Sequence, residues 1–336
     1  METETVVLCY PAIDADLKKI QAAFRDARIV CSSQEKISKD IFEATIFCGH
    51  AKQKQIDWDT VVEQGKLKWI QSSAAGLDHC LAQAVVDSEI TVSGCSGLFA
   101  NQVSEQTLAL LFSMIRRMPI FAKAQSERVF ERQATDTLHG KTVGILGFGG
   151  NGRRVAAVLK NIAGKLLATD SFPDFEPPNY ATVLPADKQE QVMANSDVVI
   201  VTLPLTPETH KCIGAREFGL MKDGSYFVNV ARGTVVDQPA LLTALKSGKI
   251  AYAGLDVVDP EPPAKDDPVW DYENVLITPH VGAQSWQRVA LSTDLFCKNA
   301  VRFRNGEILL NWVDKKLQFP RPEHRVRMDE RGHLVE

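Results

Sequence analysis

Short apolar runs alternate with amphipathic stretches along the first hundred residues. TVVLCY (5–10), ARIVC (27–31), ATIFCG (44–49), LKWIQSS (67–73) and ITVSGC (90–95) are continuous and rich in β-branched side chains, and a helical pattern fills 14–26. Such runs mark parallel strands covered on both faces, so residues 1 to about 97 read as one small α/β domain. From 100 to about 132 the periodicity turns helical, with a bend near Pro119. The alternation then restarts: KTVGIL, KLLATD, DVVIVTLPL, SYFVNVARG, IAYAGLDVV and NVLITPH are six strand-like runs, which predict a second, doubly wound parallel sheet. A long amphipathic helix is expected over 285–307, LLNWV (309–313) reads as a short return onto the first domain, and the Pro-rich, charged 319–336 reads as a surface tail.

At 336 residues two domains are the natural division, and 45% hydrophobic residues suffice for sizeable cores. The net charge of -4 and scattered Lys and Arg argue against nucleic acid and an anionic membrane surface as partners. No apolar run reaches the roughly 20 residues of a membrane span, and the N-terminus lacks the pattern of a secretory signal, so a cytoplasmic location is expected. Seven cysteines without a CxxC pair read as buried, reduced thiols, and no metal site is expected.

The sharpest local pattern is Gly147-Phe148-Gly149-Gly150-Asn151-Gly152, a GxGxxG between a strand and a helix. Gly147 suits the tight turn, Gly149 admits a pyrophosphate to the backbone, and Gly152 permits close helix–strand packing at a helix N-terminus that favours anions. Asp170 ends the next strand, near the separation of about 20 residues expected for an acid that binds the adenosine ribose, although a turn or cap role is the alternative. A carboxylate there disfavours a 2'-phosphate, and 171–179 contains no Lys or Arg, so NAD is the expected cofactor. Thr202, Leu203 and Pro204 (with Leu205) and Val230 and Ala231 follow later strands; they line the same crevice or are plain loop.

Arg232, Glu261 and His280 stand just past strand ends. Interconversion of a 2-oxo acid and a 2-hydroxy acid needs a cation for the carboxylate, a proton donor–acceptor for the oxygen and a group that tunes it. Arg232 offers bidentate donors, His280 an imidazole that exchanges protons near neutrality, and Glu261 a carboxylate that favours the protonated ring. His79 either touches substrate or caps the following helix, the cap being preferred.

Seven segments in order, SSAAGLDH, ANQVSEQTLALL, LHGKTVGILGFGGNG, LPLTPETH, FVNVARGTVVD, AGLDVVDPEPP and NVLITPHVGA, make the chain resemble the D-isomer-specific 2-hydroxyacid dehydrogenases. The resemblance implies an α/β fold of two doubly wound parallel-sheet domains. A Rossmann NAD-binding domain (99–297) is inserted into a flavodoxin-like substrate-binding domain (1–98 and 298–336), and closure of the cleft between them excludes water. It implies Arg232, Glu261 and His280 as the catalytic set, Ala75 and Gly76 as backbone donors to the substrate carboxylate, and Asp256 near the nicotinamide carboxamide. It also implies a homodimer through the cofactor domain, with 100–132 as the surface. Val258 departs from the aromatic many members carry there. With Trp69, Ser72, Ser73 and Leu77 offering no charge, a small acid of the glyoxylate or hydroxypyruvate type is favoured over a phosphorylated one. The alternative left open is an NAD-sensing interaction protein similar to the co-repressors that share this fold and these three residues.

Overall fold

The computed structural model describes residues 4–51, 55–329 and 333–335. The chain divides into two compact units, one of residues 1–99 with 285–336 and one of residues 100–284.

The first unit is built on five parallel strands, β1 (Thr5–Cys9), β2 (Arg28–Cys31), β3 (Ile46–Gly49), β4 (Trp69–Ser72) and β5 (Thr91–Ser93), in the order β2-β1-β3-β4-β5. This is the flavodoxin-like order. Successive residues of each central strand face opposite sides. Val7, Phe47, Ile70 and Val92 enter one core, while Val6, Leu8, Ile46, Cys48 and Trp69 enter the other. The second core is closed by the helix Arg288–Asn305, whose Phe296 lies 5.1 Å from the Phe24 ring and 5.2 Å from the Trp69 ring. Return of the chain to this unit therefore falls at Ser285 and not at 298, because the apolar stripe of this helix has its partners in the first sheet.

The second unit holds seven parallel strands: β6 (Thr142–Leu146), β7 (Lys165–Asp170), β8 (Thr182–Pro185), β9 (Val198–Val201), β10 (Ser225–Asn229), β11 (Ile250–Leu255) and β12 (Val275–Ile277). Their order, β12-β11-β10-β9-β6-β7-β8, reverses direction between β6 and β9, the switch point of a dinucleotide-binding sheet. Val198 and Ile200 pack on one face, Val199 and Val201 on the other. The sequence reading lacks β8, a four-residue edge strand half open to solvent and ending in Pro185. Apolar periodicity carries no signal in such a strand.

Three further expectations are corrected. The 100–132 stretch forms two helices, Ala100–Ile115 and Met118–Ser126, with Arg117 left-handed at φ 54° between them, and the helical pattern stops before 127. Pro119 sits in the first turn of the second helix, where its missing N–H costs nothing. The 319–336 segment is in part anchored: Pro320 and Pro322 are buried, Asn311 N–H donates to the His324 carbonyl, and Asn311 Oδ1 accepts from Val326 N–H at 3.0 Å. The same Asn311 side chain donates to the carbonyls of Gly94 and Ser96, so one buried amide ties the LLNWV return to both β5 and the tail. Finally, the cysteines are all unpaired, but Cys31 is exposed because β2 is an edge strand. No helix among the described residues is long and apolar enough to cross a membrane.

Truncating Phe296 to Ala is expected to lower unfolding free energy by about 3–5 kcal/mol, the range for losing a fully buried ring. A urea denaturation midpoint unchanged from wild type would show that this ring does not hold the helix to the first sheet.

Candidate active site

Six strands of the second sheet deliver all the expected site residues but Ala75 and Gly76 from their carboxyl ends. After β6 the chain turns at Gly147 with φ +91°, and a Cβ there would lie 3.0 Å from the Thr202 carbonyl oxygen. The Thr202 hydroxyl donates to the Gly147 carbonyl at 2.6 Å, tying the ends of β6 and β9 together at the switch point. A Cβ on Gly152 would come within 2.1 Å of that carbonyl, whereas one on Gly149 meets nothing within 4 Å. The two glycines thus do different work, one permitting a close approach within the fold and the other leaving open space before the helix Gly150–Leu159. That helix has no side-chain cap. Its first backbone bond runs from Arg153 N–H to the Gly149 carbonyl, so the amides of Gly150, Asn151 and Gly152 remain for an anion. This cradle fits a dinucleotide pyrophosphate.

Asp170, at the end of β7, is buried. Oδ2 accepts from Phe148 N–H at 3.0 Å and Oδ1 from Phe172 N–H at 2.8 Å, so the carboxylate shapes both the glycine turn and the loop that follows. Arg153, unremarked in the sequence, reaches that loop from the helix, donating to the carbonyls of Phe175 and Glu176 and lying over the Phe148 ring. Its guanidinium is committed to holding the loop.

On the other side of the switch point, Val230 and Ala231 follow β10, and Val230 N–H donates to the Val201 carbonyl. Buried Asn229 accepts from Ala231 N–H at 3.0 Å and donates to the Arg232 carbonyl at 3.0 Å, which fixes the turn that carries Arg232. The Arg232 guanidinium donates to the Ala231 carbonyl through Nη1. Asn229 was missed, although a polar residue inside the run SYFVN was its signal.

Asp256, just past β11, is 2% exposed and accepts three bonds: from the Thr278 hydroxyl at 2.6 Å, Val281 N–H at 3.0 Å and Gly282 N–H at 2.8 Å. Gln106 donates to the Thr278 hydroxyl. Within this frame His280 adopts φ +54° and donates its backbone N–H to the Asp256 carbonyl. Its Nδ1 stands 2.7 Å from Glu261 Oε1, both side chains partly open to solvent. Glu261 and His280, 19 positions apart, are thus joined directly; Arg232 leaves the sheet two strands away.

Ala75 and Gly76 lie in the loop after β4 of the first unit. The Ser72 hydroxyl accepts from Ala74 N–H, and the Ala74 carbonyl accepts from Cys95 N–H at 2.9 Å. In a trans peptide the N–H opposes the C=O, so the second bond turns Ala75 N–H outward. Neither Ala75 N–H nor Gly76 N–H has an acceptor among the described residues. One inference fails here. Trp69, Ser72, Ser73 and Leu77 are buried, because they continue the strand or pack under the loop, so their side chains do not describe a substrate surface. His79 does not cap the next helix. Its ring lies 3.3 Å from the Ser72 hydroxyl and packs tilted against His50 with ring centroids 4.0 Å apart, while its carbonyl accepts from the Trp58 indole.

Residues 108–282 match the family described as D-isomer specific 2-hydroxyacid dehydrogenase, NAD binding domain. The chain is 34% identical over 257 residues to D-3-phosphoglycerate dehydrogenase of Archaeoglobus fulgidus, covering 75% of this chain but only 48% of that one. It is 32% identical over 275 residues to glyoxylate reductase of Korarchaeum cryptofilum, covering 80% and 82%. Among solved structures, a D-isomer specific 2-hydroxyacid dehydrogenase from Xanthobacter autotrophicus Py2, in complex with NADPH and MES, aligns with a TM-score of 0.77 at 26% identity over 94% of this chain and 100% of that one. The chain belongs to the D-isomer-specific 2-hydroxyacid dehydrogenase family. It is an oxidoreductase of that class, with a Rossmann NAD(P)-binding domain.

The glycines yield a paired prediction. Gly149→Val should leave the melting temperature unchanged and abolish NADH binding, followed by nicotinamide fluorescence. Gly152→Val should destabilise by about 3 kcal/mol through overpacking. Tight NADH binding by Gly149→Val would remove the open side of the turn from the cofactor site.

Proposed function

We propose that this protein reduces a small 2-oxo acid of the glyoxylate or hydroxypyruvate type to the D-2-hydroxy acid, or runs the reverse oxidation, with NAD(H). The observation that carries this reading is the 2.7 Å contact of His280 with Glu261 on the same sheet edge as the dinucleotide cradle. A bound nicotinamide supplies or accepts the hydride. Arg232 grips the substrate carboxylate, and Ala75 and Gly76 offer it their backbone N–H groups, so that the reacting carbon is oriented before reaction. Glu261 engages Nδ1 of His280 and leaves Nε2 to give a proton to the carbonyl oxygen in reduction and to take it from the hydroxyl in oxidation. Glu261 also stabilises the positive ring while it holds that proton. Asp256 keeps the His280 turn in place beside the nicotinamide carboxamide.

Preference for NAD is supported by the buried Asp170 carboxylate, which repels a 2'-phosphate, and by the engagement of Arg153 with two carbonyls of the adjoining loop. Gly147, Gly149, Gly150, Asn151 and Gly152 hold the pyrophosphate. Thr202, Leu203, Pro204, Val230 and Ala231 line the crevice toward the nicotinamide. An unphosphorylated substrate is supported by the absence of Lys and Arg from 69–81. Exposed Met118, Val129 and Phe130 support a homodimer formed through the cofactor unit, and the seven unpaired thiols support the reducing cytoplasm.

Absorbance at 340 nm should fall fastest with NADH plus glyoxylate or hydroxypyruvate, slower with NADPH, and barely with phosphohydroxypyruvate. Faster turnover with NADPH would overturn the cofactor assignment. His280→Ala and Arg232→Ala should each cost about 10²–10⁴-fold in kcat/KM, whereas Glu261→Gln should cost less and alter the pH profile. Wild-type turnover in His280→Ala would remove it from proton transfer.

A further inference from the structure

Arg288 opens the long helix of the first unit, and its surroundings are unusual for a cation. Its guanidinium lies 5.7 Å from the centre of the Phe99 ring, and Nη2 donates to the Ser73 carbonyl at 3.4 Å. Nε is buried without an acceptor, and no carboxylate among the described residues pairs with the side chain. A partly desolvated guanidinium with neither full hydrogen bonding nor a counter-charge is costly to keep. The carbonyl it grips belongs to the turn in which neither Ala75 N–H nor Gly76 N–H has an acceptor among the described residues.

We propose that Arg288 is a positioning residue for substrate-carboxylate binding: it holds the Ser72–Gly76 turn in the shape that presents two amides to an anion, and places a fixed positive charge behind them. Ser73 N–H donates to the Gly49 carbonyl, and three further bonds anchor the turn. Ser72 Oγ holds the Ala74 amide, Cys95 N–H holds the Ala74 carbonyl, and Arg288 holds the Ser73 carbonyl. Only the third carries charge. Helix and turn are further linked through Cys95, whose Sγ lies 3.3 Å from the Ser72 carbonyl and 3.9 Å from Ser292 Oγ, one turn beyond Arg288. Burial pushes the Cys95 thiol up to about 12, and the Ser292 hydroxyl and the Arg288 charge oppose that shift. An arriving carboxylate meets two open N–H groups and supplies the negative charge that Arg288 lacks.

The inference rests on the proposed role of Ala75 and Gly76, and the experiment separates the two. Oxamate, a 2-oxo acid analogue, is titrated into NADH-saturated protein, and glyoxylate kinetics are measured in parallel. Arg288→Gln should raise the oxamate Kd and the glyoxylate KM about tenfold or more, with kcat much less affected and with NADH affinity and melting temperature unchanged. Arg288→Lys should restore part of the loss. An oxamate Kd unchanged in Arg288→Gln, or a loss accompanied by a lower melting temperature and weaker NADH binding without rescue by Lys, overturns the inference alone. A wild-type protein that binds NADH but not oxamate overturns the carboxylate-site reading and the inference with it.

Discussion

Asp256 is a buried carboxylate, and such a group must find donors or leave. All three that it finds come from the five residues 278–282, so burying one charge determines the path of the chain beyond β12. That path puts His280 into a left-handed conformation, which His tolerates better than a β-branched residue, and aims Nδ1 at Glu261. The position of Glu261 depends in turn on the segment that leaves β11 just after Asp256. One buried carboxylate therefore serves as the common origin for both members of the His280–Glu261 contact, and Gln106, reaching Thr278 from the helix Ala100–Ile115, ties that origin to the body of the cofactor unit.

A similar economy operates at other strand ends of the same sheet. Asp170 accepts from backbone groups on two different loops, and Asn229 accepts from and donates to the turn carrying Arg232. In each case a short polar side chain at a strand end substitutes for the ladder that stops there, and the loop beyond inherits the rigidity of the sheet. Functional groups placed this way need little reorganisation to act, which is the usual source of electrostatic advantage in a site.

Much of this was legible because it follows from periodicity and from turn chemistry. The runs KTVGIL, DVVIVT and SYFVN could be buried on both faces only as central parallel strands, and the glycine spacing placed the helix start. What escaped reading had weak local character or acted at long range. The β8 edge strand is half exposed, so its side chains follow no burial pattern. The long helix at 288–305 has a clear apolar stripe, but the stripe does not say which sheet it covers; Phe24 and Trp69, more than two hundred residues earlier, decide that. Arg153 and Arg288 go unremarked in the sequence because their partners are backbone carbonyls, which every residue has and no sequence pattern marks. The buried set Trp69, Ser72, Ser73 and Leu77 shows the converse error, in which proximity to a functional loop was read as exposure to substrate.

The division of the chain also has a consequence during synthesis. The cofactor unit is one continuous stretch, 100–284, while the other unit needs both 1–99 and 285–336. As the chain emerges from a ribosome, its first hundred residues have their sheet but lack the helix that covers one face, and Val6, Leu8, Ile46 and Trp69 await Phe296 and Ala300. The middle of the chain can finish folding before the beginning does. Domains generally complete in order from the N-terminus; here that order is inverted, and the interval during which the first sheet lies open is set by the time taken to translate the whole cofactor unit.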